Sequence, residues 1–166
     1  MSSRASLPRL ALTSVGGFVD LVRAGAISRP RIRLGKRYRT DRGGVYAVFR
    51  ETIGDDGAAG SPAVLVVGFR LKMIGSIPLA HWLFQRVCLL TTPFWSGFRG
   101  FRVKLWMVDR ESKNYLGIYQ WAGEVNARTY AEALCRVLRA LSTRDSVWYD
   151  LEPEQALDPY LAARAA

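Results

Sequence analysis

The sequence has 166 residues, 49% of them hydrophobic, and carries 24 Lys and Arg against 14 Asp and Glu, a net charge of +10. This length fits one domain plus an extension, and the composition excludes a disordered or low-complexity chain. Two cysteines, Cys88 and Cys135, are too few for a disulfide framework or a four-ligand zinc site, so we expect both to be reduced and buried.

The positive charge is concentrated near the start of the chain. The first 50 residues contain 11 Lys and Arg and only two acidic residues. Ser14 is predicted to cap a short helix over Val15–Ala24. Arg29–Arg42 follows as a basic arm with seven basic residues among fourteen. Val45–Arg50 alternates in hydropathy and predicts an additional strand.

A loop rich in Gly, Asp and Pro, residues 54–62, then marks a predicted domain boundary. We therefore divide the chain into a basic N-terminal extension (1–62), a domain (63–152) and a C-terminal tail (153–166) with a short helix. The apolar segment Leu10–Ile27 contains Asp20 and Arg23, which argues against a signal-peptide core. We expect a cytoplasmic protein without a membrane span, although the Arg- and Ser-rich start also resembles a transit peptide in composition.

The middle of the chain predicts four strands and two helices in the order β-α-β-β-α-β. The strands are Ala63–Lys72, Phe101–Asp109, Tyr115–Ala122 and Ser146–Leu151, and the helices run from Pro78 to about Leu90 and from a cap at Asn126 to Leu141. This order is the α+β ferredoxin-like arrangement, with both helices on one face of an antiparallel sheet. Asp109–Asn114 is the predicted hairpin loop between the second and third strands.

The second face of this sheet is also apolar in sequence. The central strands carry large apolar residues on both sides, whereas a sheet that is wet on one face alternates apolar with polar residues. Some other part of the protein must therefore cover the second face. A second copy, packed sheet to sheet, is the simplest cover, and the N-terminal extension folding back is the alternative.

Short motifs in the domain resemble a known family. Residues 94–101, FWSGFRGF, are similar to the PGF-x-G-Y/F turn of antibiotic-biosynthesis-monooxygenase-like proteins, with Ser96 where that family often has Pro. Tyr115–Trp121 and Tyr130 resemble the pattern of the third strand and second helix. The resemblance covers residues 63–152 and implies a dimeric α/β barrel. It also implies activities such as cofactor-independent oxygenation of polycyclic phenols and quinones, haem degradation or isomerisation.

The candidate catalytic residues are His81, Tyr119 and Trp121. His81 is the only histidine, and histidine alone titrates near neutral pH without a shift. Tyr and Trp combine an apolar body with one polar tip, which suits a flat aromatic substrate. The candidate substrate-binding residues are Arg70, Trp82, Phe101, Trp106 and Trp148. Arg70, Arg102 and Lys104 are the cations that the predicted strands offer to a developing oxyanion. Each of these residues also fits an ordinary place in the core, an interface or the surface.

The leading hypothesis is a small monooxygenase-like protein that acts on an apolar aromatic, polyketide-type or quinone-type molecule as a homodimer, without a bound cofactor or metal. A non-catalytic small-molecule or haem-binding module, or an accessory subunit, is the first alternative. The set of Asn, Trp and His that a haem-degrading site of this superfamily suggests is missing. The second alternative is a nucleic-acid or anionic-membrane tether through Arg29–Arg42.

Overall fold

The structure is a computed structural model that describes residues 32–54, 59–72 and 100–166. In these ranges the chain forms six strands and two helices. They are β1 (Arg37–Arg39), β2 (Val45–Ile53), β3 (Pro62–Phe69), β4 (Phe101–Val108), β5 (Tyr115–Ala122), α1 (Glu124–Leu141), β6 (Trp148–Pro153) and α2 (Leu157–Ala162). The predicted helices over Val15–Ala24 and from Pro78 to Leu90 lie outside the described residues.

All neighbouring strands pair antiparallel, in the order β1-β2-β4-β5-β3-β6. The β4-β5-β3-β6 part has the strand order of the ferredoxin-like fold, which confirms the predicted α+β class. The predicted additional strand is also present as β2, which runs three residues further than its alternation indicated, to Ile53. It pairs with β4, and β1 pairs with β2, so both belong to the same sheet. The division of the chain at residue 62 stays a prediction.

Helix α1 lies over β3, β5 and β6. Its buried residues recur every three or four positions and form one apolar stripe: Ala127, Tyr130, Ala131, Leu134, Cys135 and Leu138. The prediction that Asn126 caps this helix is wrong. Gly123 is the N-cap residue, and the Asn126 side chain lies within the first turn and donates a hydrogen bond to the Ala122 carbonyl at 2.8 Å.

The sheet curls away from α1 until its two ends approach each other. Arg42, in the turn between β1 and β2, donates hydrogen bonds of 2.8 and 2.7 Å to the Asp150 carboxylate of β6. Its guanidinium also lies 4.5 Å from the ring centre of Trp148. Because β1 and β6 are at opposite ends of the strand order, these contacts close the sheet around its second face, which we call the concave face.

The concave face is buried within one chain. Val64, Val66, Leu105 and Met107 are at most 3% exposed, and residues of β1, β2 and α2 join the same apolar cluster: Tyr38, Tyr46, Val48, Leu157, Tyr160 and Leu161. The N-terminal strands therefore contribute to the cover, as one alternative expected, and the predicted short C-terminal helix adds to it. This corrects the premise that a second copy is the simplest cover. The homodimer itself stays a prediction.

Part of the predicted basic arm is tied into the fold. Arg33 forms ion pairs with the buried Glu51 of β2 and, at 2.6 Å, with Asp158 of α2. The tail pairs with β1 through a bridge between Tyr38 and Ala165. Arg33 and Arg42 are therefore engaged in holding the sheet, whereas the tether hypothesis for Arg29–Arg42 needs them for phosphates. Residues 29–31 lie outside the described residues.

None of the helices in the described ranges combines the length and the hydropathy that a membrane span requires. The cytoplasmic location stays a prediction.

Gly68 makes room for Trp148 at the closure of the sheet. The two residues pair across β3 and β6, and a Cβ on Gly68 would lie 2.3–2.6 Å from atoms of the indole ring. Gly68→Ala should lower the free energy of unfolding by about 1–3 kcal/mol because the ring must leave its place under Arg42. Urea unfolding measures this loss. In a Trp148→Ala background the same change should be neutral, and an equal loss in both backgrounds would contradict the proposed clash.

The β4–β5 hairpin depends on a carboxylate. Burial alone would raise the pKa of Asp109, but hydrogen bonds from the Ser112 hydroxyl and from the backbone N–H groups of Glu111 and Ser112 outweigh it and lower the pKa. Because its pKa is lowered in the folded state, the carboxylate stabilises the fold at pH values above the ordinary pKa of an aspartate. This stabilisation is lost as pH falls through the folded-state pKa.

Asp109→Asn should therefore remove part of the loss of folding stability at low pH. At pH 7 the variant should be less stable by under about 1 kcal/mol, since the carboxylate is largely solvated. The stability difference from wild type should shrink as pH falls from about 5 towards 2. Urea unfolding across this range measures it, and a constant difference would count against the role of the charge.

Candidate functional site

A compact block of polar and aromatic side chains lies on the α1 side of β2, β4 and β5. In the strand register Arg50 pairs with Trp106, Thr52 pairs with Lys104, and Lys104 pairs with Tyr119. Residues two apart on a strand point to the same face, and paired residues are about 5 Å apart. The five side chains are therefore neighbours, and we call them the cation–aromatic block.

Lys104 is the centre of this block and is only 4% exposed. Its ammonium lies 3.1 Å from the ring centre of Trp106 and 4.8 Å from that of Tyr119. A cation over a desolvated aromatic ring gains about 2 kcal/mol. Removing an ammonium from water costs several kcal/mol. The two ring contacts therefore offset part of this cost.

Aromatic rings continue the block along β5 and onto α1. Tyr119 and Tyr130 lie edge to face at 5.1 Å, Trp121 and Tyr130 are 4.8 Å apart, and Phe101 meets Trp121 at 5.7 Å. Gly117 leaves the space over which the Tyr119 ring lies, since a Cβ there would be 2.8 Å from its hydroxyl oxygen. The arrangement provides aromatic walls next to a buried cation.

Three polar atoms in this region are buried without a hydrogen-bond partner in the described part of the chain: Thr52 Oγ1, Trp106 Nε1 and Trp121 Nε1. Buried polar groups are almost always paired, and each unpaired one costs about 1–3 kcal/mol. All three can donate a hydrogen bond. Donors and a cation on one face are suited to accept an oxygen-bearing, negatively charged ligand.

The structure brings together four of the predicted site residues: Phe101, Trp106, Tyr119 and Trp121 share one cluster. It separates two others from them. Trp148 belongs to the cluster on the concave face. Arg70 is exposed beyond the end of β3, where its Nε donates to Asn114 at 2.8 Å.

His81 and Trp82 lie outside the described residues. Arg102 and Lys104 were the other cations expected on the predicted strands. Lys104 is in the cation–aromatic block, whereas Arg102 donates a hydrogen bond to the Gly60 carbonyl at 3.1 Å. The roles of all these residues stay predictions.

Arg50 and Thr52 were not predicted from the sequence. The strand prediction ended at Arg50, although the β-branched Thr52 and Ile53 could have extended it. A bulge between Val48 and Arg50 then changes the alternation, so that Arg50 lies on the α1 side, over Trp106 at 5.7 Å. Bulges redirect side chains in this way and are common beside functional sites.

Other features of the described residues do not form a competing site. No group of three His, Cys, Asp or Glu within them could hold a metal ion. Cys135 is a buried free thiol of α1, and burial raises its pKa, which makes it unreactive. Surface depressions of about 520 and 680 Å³ lie beside β1, and both are lined by Gly35 and Arg37 and by no residue of the block.

No protein-family model matches the sequence, and no curated protein matches it significantly. Three solved structures have a related fold. The first is an uncharacterized ferredoxin-fold protein related to antibiotic biosynthesis monooxygenases, from Listeria monocytogenes 4b F2365. It has 17% identity and a TM-score of 0.43, over 69% of this chain and 67% of that one.

The second, a monooxygenase-like protein from Listeria innocua, has 16% identity and a TM-score of 0.45, over 70% of this chain and 68% of that one. The third, a heme-degrading enzyme from Listeria monocytogenes, has 16% identity and a TM-score of 0.44, over 72% and 84%. In fold, the chain is similar to proteins related to antibiotic biosynthesis monooxygenases. At this identity the likeness concerns the fold alone.

Lys104→Met tests whether the buried charge of Lys104 stabilises the fold. Met keeps the length of the side chain and removes the ammonium, so the free energy of unfolding should stay unchanged or rise by about 1–3 kcal/mol. Lys104→Ala also removes the packed aliphatic part of the side chain and should lower the free energy of unfolding by about 1–3 kcal/mol. Urea unfolding of both variants measures these effects. A loss above about 2 kcal/mol in Lys104→Met would show that the ammonium stabilises the fold.

Proposed function

We propose that the protein is a small monooxygenase-like enzyme that binds an aromatic phenol or quinol as its anion and oxidises it with dioxygen, without a bound cofactor. One observation carries the proposal: the Lys104 ammonium is buried against the faces of Trp106 and Tyr119. An aromatic anion satisfies both features of this place, because its ring meets aromatic walls and its charge meets the ammonium.

Burial makes the charge effective. A cation acts far more strongly in a water-excluded site than in water, and it costs no reorganisation when negative charge develops beside it. Lys104 would favour the phenolate over the phenol and so prepare an electron-rich substrate at neutral pH. The indole N–H of Trp106 or Trp121, which has no hydrogen-bond partner in the described residues, is a donor for a second substrate oxygen.

The proposed reaction needs no added reductant. A phenolate passes one electron to dioxygen, and the resulting radicals join through a new C–O bond at the position para to the hydroxyl. Loss of the hydrogen at that carbon and cleavage of the O–O bond then give a para-quinone and one water. Tyr119 and Trp121 would hold the ring and exclude water during these steps. His81 stays a candidate catalytic residue from the sequence.

Binding is tested with 1-naphthol by isothermal titration calorimetry. Lys104→Met should weaken binding at least tenfold, because the anion loses its counter-charge. Lys36→Met is the matched control, since it removes the same charge from an exposed residue next to β1, and it should change the affinity less than twofold. Equal affinities for wild type and Lys104→Met would remove the basis of the proposal.

Turnover is measured with an oxygen electrode and mass spectrometry, using 1-naphthol and 9-anthrol under air. The wild type should consume one dioxygen for each quinone formed, and Lys104→Met should be at least tenfold slower. Binding without oxygen consumption would instead identify a non-catalytic small-molecule binding module.

A further inference from the structure

We infer that the segment leading into β1 is a docking surface for a membrane that contains anionic lipids. The inference is independent of the proposed function. Residues 32–39 contain four Lys and Arg and no acidic residue. Their exposed side chains combine two aliphatic groups with three cations, and we call this set the basic ridge: Ile32, Leu34, Lys36, Arg37 and Arg39.

The aliphatic side chains of the basic ridge are in contact with water. Ile32 is 68% exposed and Leu34 is 39% exposed. The other exposed large hydrophobic residues of the described part of the chain, Val125 and Leu141, lie near opposite ends of α1 and about 24 Å apart. Single exposed apolar residues are ordinary, whereas adjoining ones mark interaction sites. Ile32 and Leu34 are separated by one residue and therefore qualify as adjoining.

The cations of the basic ridge are available to a partner. Lys36, Arg37 and Arg39 are exposed, and none of them forms an ion pair with another described residue. Arg37 shares a depression with Asp109, but that carboxylate accepts its hydrogen bonds within the β4–β5 loop. Asp158, on the other side of β1, pairs with Arg33. The charge of the basic ridge is therefore left for a negatively charged partner.

The basic ridge projects from the sheet on a fixed backbone. Two depressions, of about 520 and 680 Å³, share Gly35 and Arg37, and one is lined further by α2 whereas the other is lined by β2. A Cβ on Gly35 would meet no atom within 4 Å. Hydrogen bonds of 2.9 Å tie the Gly35 N–H to the Val48 carbonyl, and the Val48 N–H to the Lys36 carbonyl. Such a projection reaches a flat surface without rearrangement of the sheet.

The chemistry of the basic ridge favours a lipid surface over nucleic acid. Anionic headgroups attract exposed Lys and Arg, and aliphatic side chains enter the boundary between headgroups and acyl chains. Nucleic acid also offers phosphates to the cations, but its unpaired bases stack on aromatic rings. Tyr38 is the only aromatic residue within residues 32–39, and it is 6% exposed. The basic ridge therefore has no ring for stacking, whereas its aliphatic groups suit a membrane.

This surface is narrower than the basic arm Arg29–Arg42. Arg33 and Arg42 hold the sheet together through Glu51, Asp158 and Asp150 and are not free for a partner. The charge pattern of the arm left nucleic acid and membrane as equal alternatives. The exposed aliphatic pair, which charge alone does not reveal, distinguishes the two.

Cosedimentation of the full chain with large unilamellar vesicles tests the inference. Wild type should bind vesicles of phosphatidylcholine and phosphatidylglycerol in equal parts at least tenfold more tightly than vesicles of phosphatidylcholine alone. Added NaCl should weaken this binding because the cations are exposed and screened. Ile32→Ser combined with Leu34→Ser should weaken it at least tenfold, because the apolar groups that enter the bilayer are lost. Val125→Ser combined with Leu141→Ser is the matched control and should change the affinity less than twofold.

The cations are tested by two triple variants that lower the net charge equally. Replacing the cations of the basic ridge should weaken binding at least tenfold and reduce its dependence on salt; this variant combines Lys36→Gln, Arg37→Gln and Arg39→Gln. Replacing three exposed cations on α1 and in the loop after it should weaken binding less than threefold; this variant combines Arg136→Gln, Arg139→Gln and Arg144→Gln. Residues 1–31 are the same in all variants, so a difference between them reports the position of the substitutions.

Absence of wild-type binding to the anionic vesicles would overturn the inference and leave the proposed function standing. Equal effects of the two Ser pairs, or of the two Gln triples, would overturn it as well. An intact affinity after Ile32→Ser and Leu34→Ser, together with tight binding of single-stranded DNA in fluorescence anisotropy, would assign the cations to nucleic acid instead. A dimer that light scattering detects without vesicles, and that the Ile32 and Leu34 variant dissociates, would assign the surface to a second copy and overturn the inference.

Discussion

The closure of the sheet around its concave face is the constraint on which the rest of the structure depends. A sheet with apolar residues on both sides is stable in water only if both sides are covered, at about 25 cal/mol for each Å² of apolar surface removed from water. On one side α1 supplies cover. On the other, curvature brings β1 and β2 round until Arg42 reaches Trp148 and Asp150. The direct pairing of β2 with β4 in the same sheet creates the cation–aromatic block.

Much of the fold could be predicted from local patterns. β-branched and aromatic runs between turn residues located β3, β4 and β5, and the spacing of apolar residues located α1. The cover of the concave face could not be predicted from local patterns. It depends on contacts between residues far apart in sequence, such as Arg33 with Asp158, which leave no periodic signal. The cap of α1 was mispredicted because Asn126 has the right residue type, whereas Gly123 begins the helix with a positive φ of 90°.

The candidate site also contains residues that could be predicted from the sequence and residues that could not. Phe101, Trp106, Tyr119 and Trp121 could be chosen because aromatic residues on strands are visible in sequence. Alternation alone puts Phe101 and Trp106 on opposite faces of β4, and the irregularity between Phe101 and Val103 brings both into one cluster. Trp148 could not be assigned to the opposite face without the register of β6. Arg50 was hidden by the bulge, since one extra residue reverses the side to which every following residue points. Sequence patterns therefore do not reveal a charged side chain whose face of the sheet is set by an irregular strand.

The two ends of the strand order have unlike edges. The outer side of β1 is bridged to Ala165, and Arg39 N–H donates to the Arg164 carbonyl at 2.8 Å. The outer strand β6 carries Asp150, Glu152 and Pro153, and acidic side chains and proline oppose the addition of a further strand. In the described residues, both edges of the sheet therefore oppose the lateral stacking of copies into a continuous ribbon.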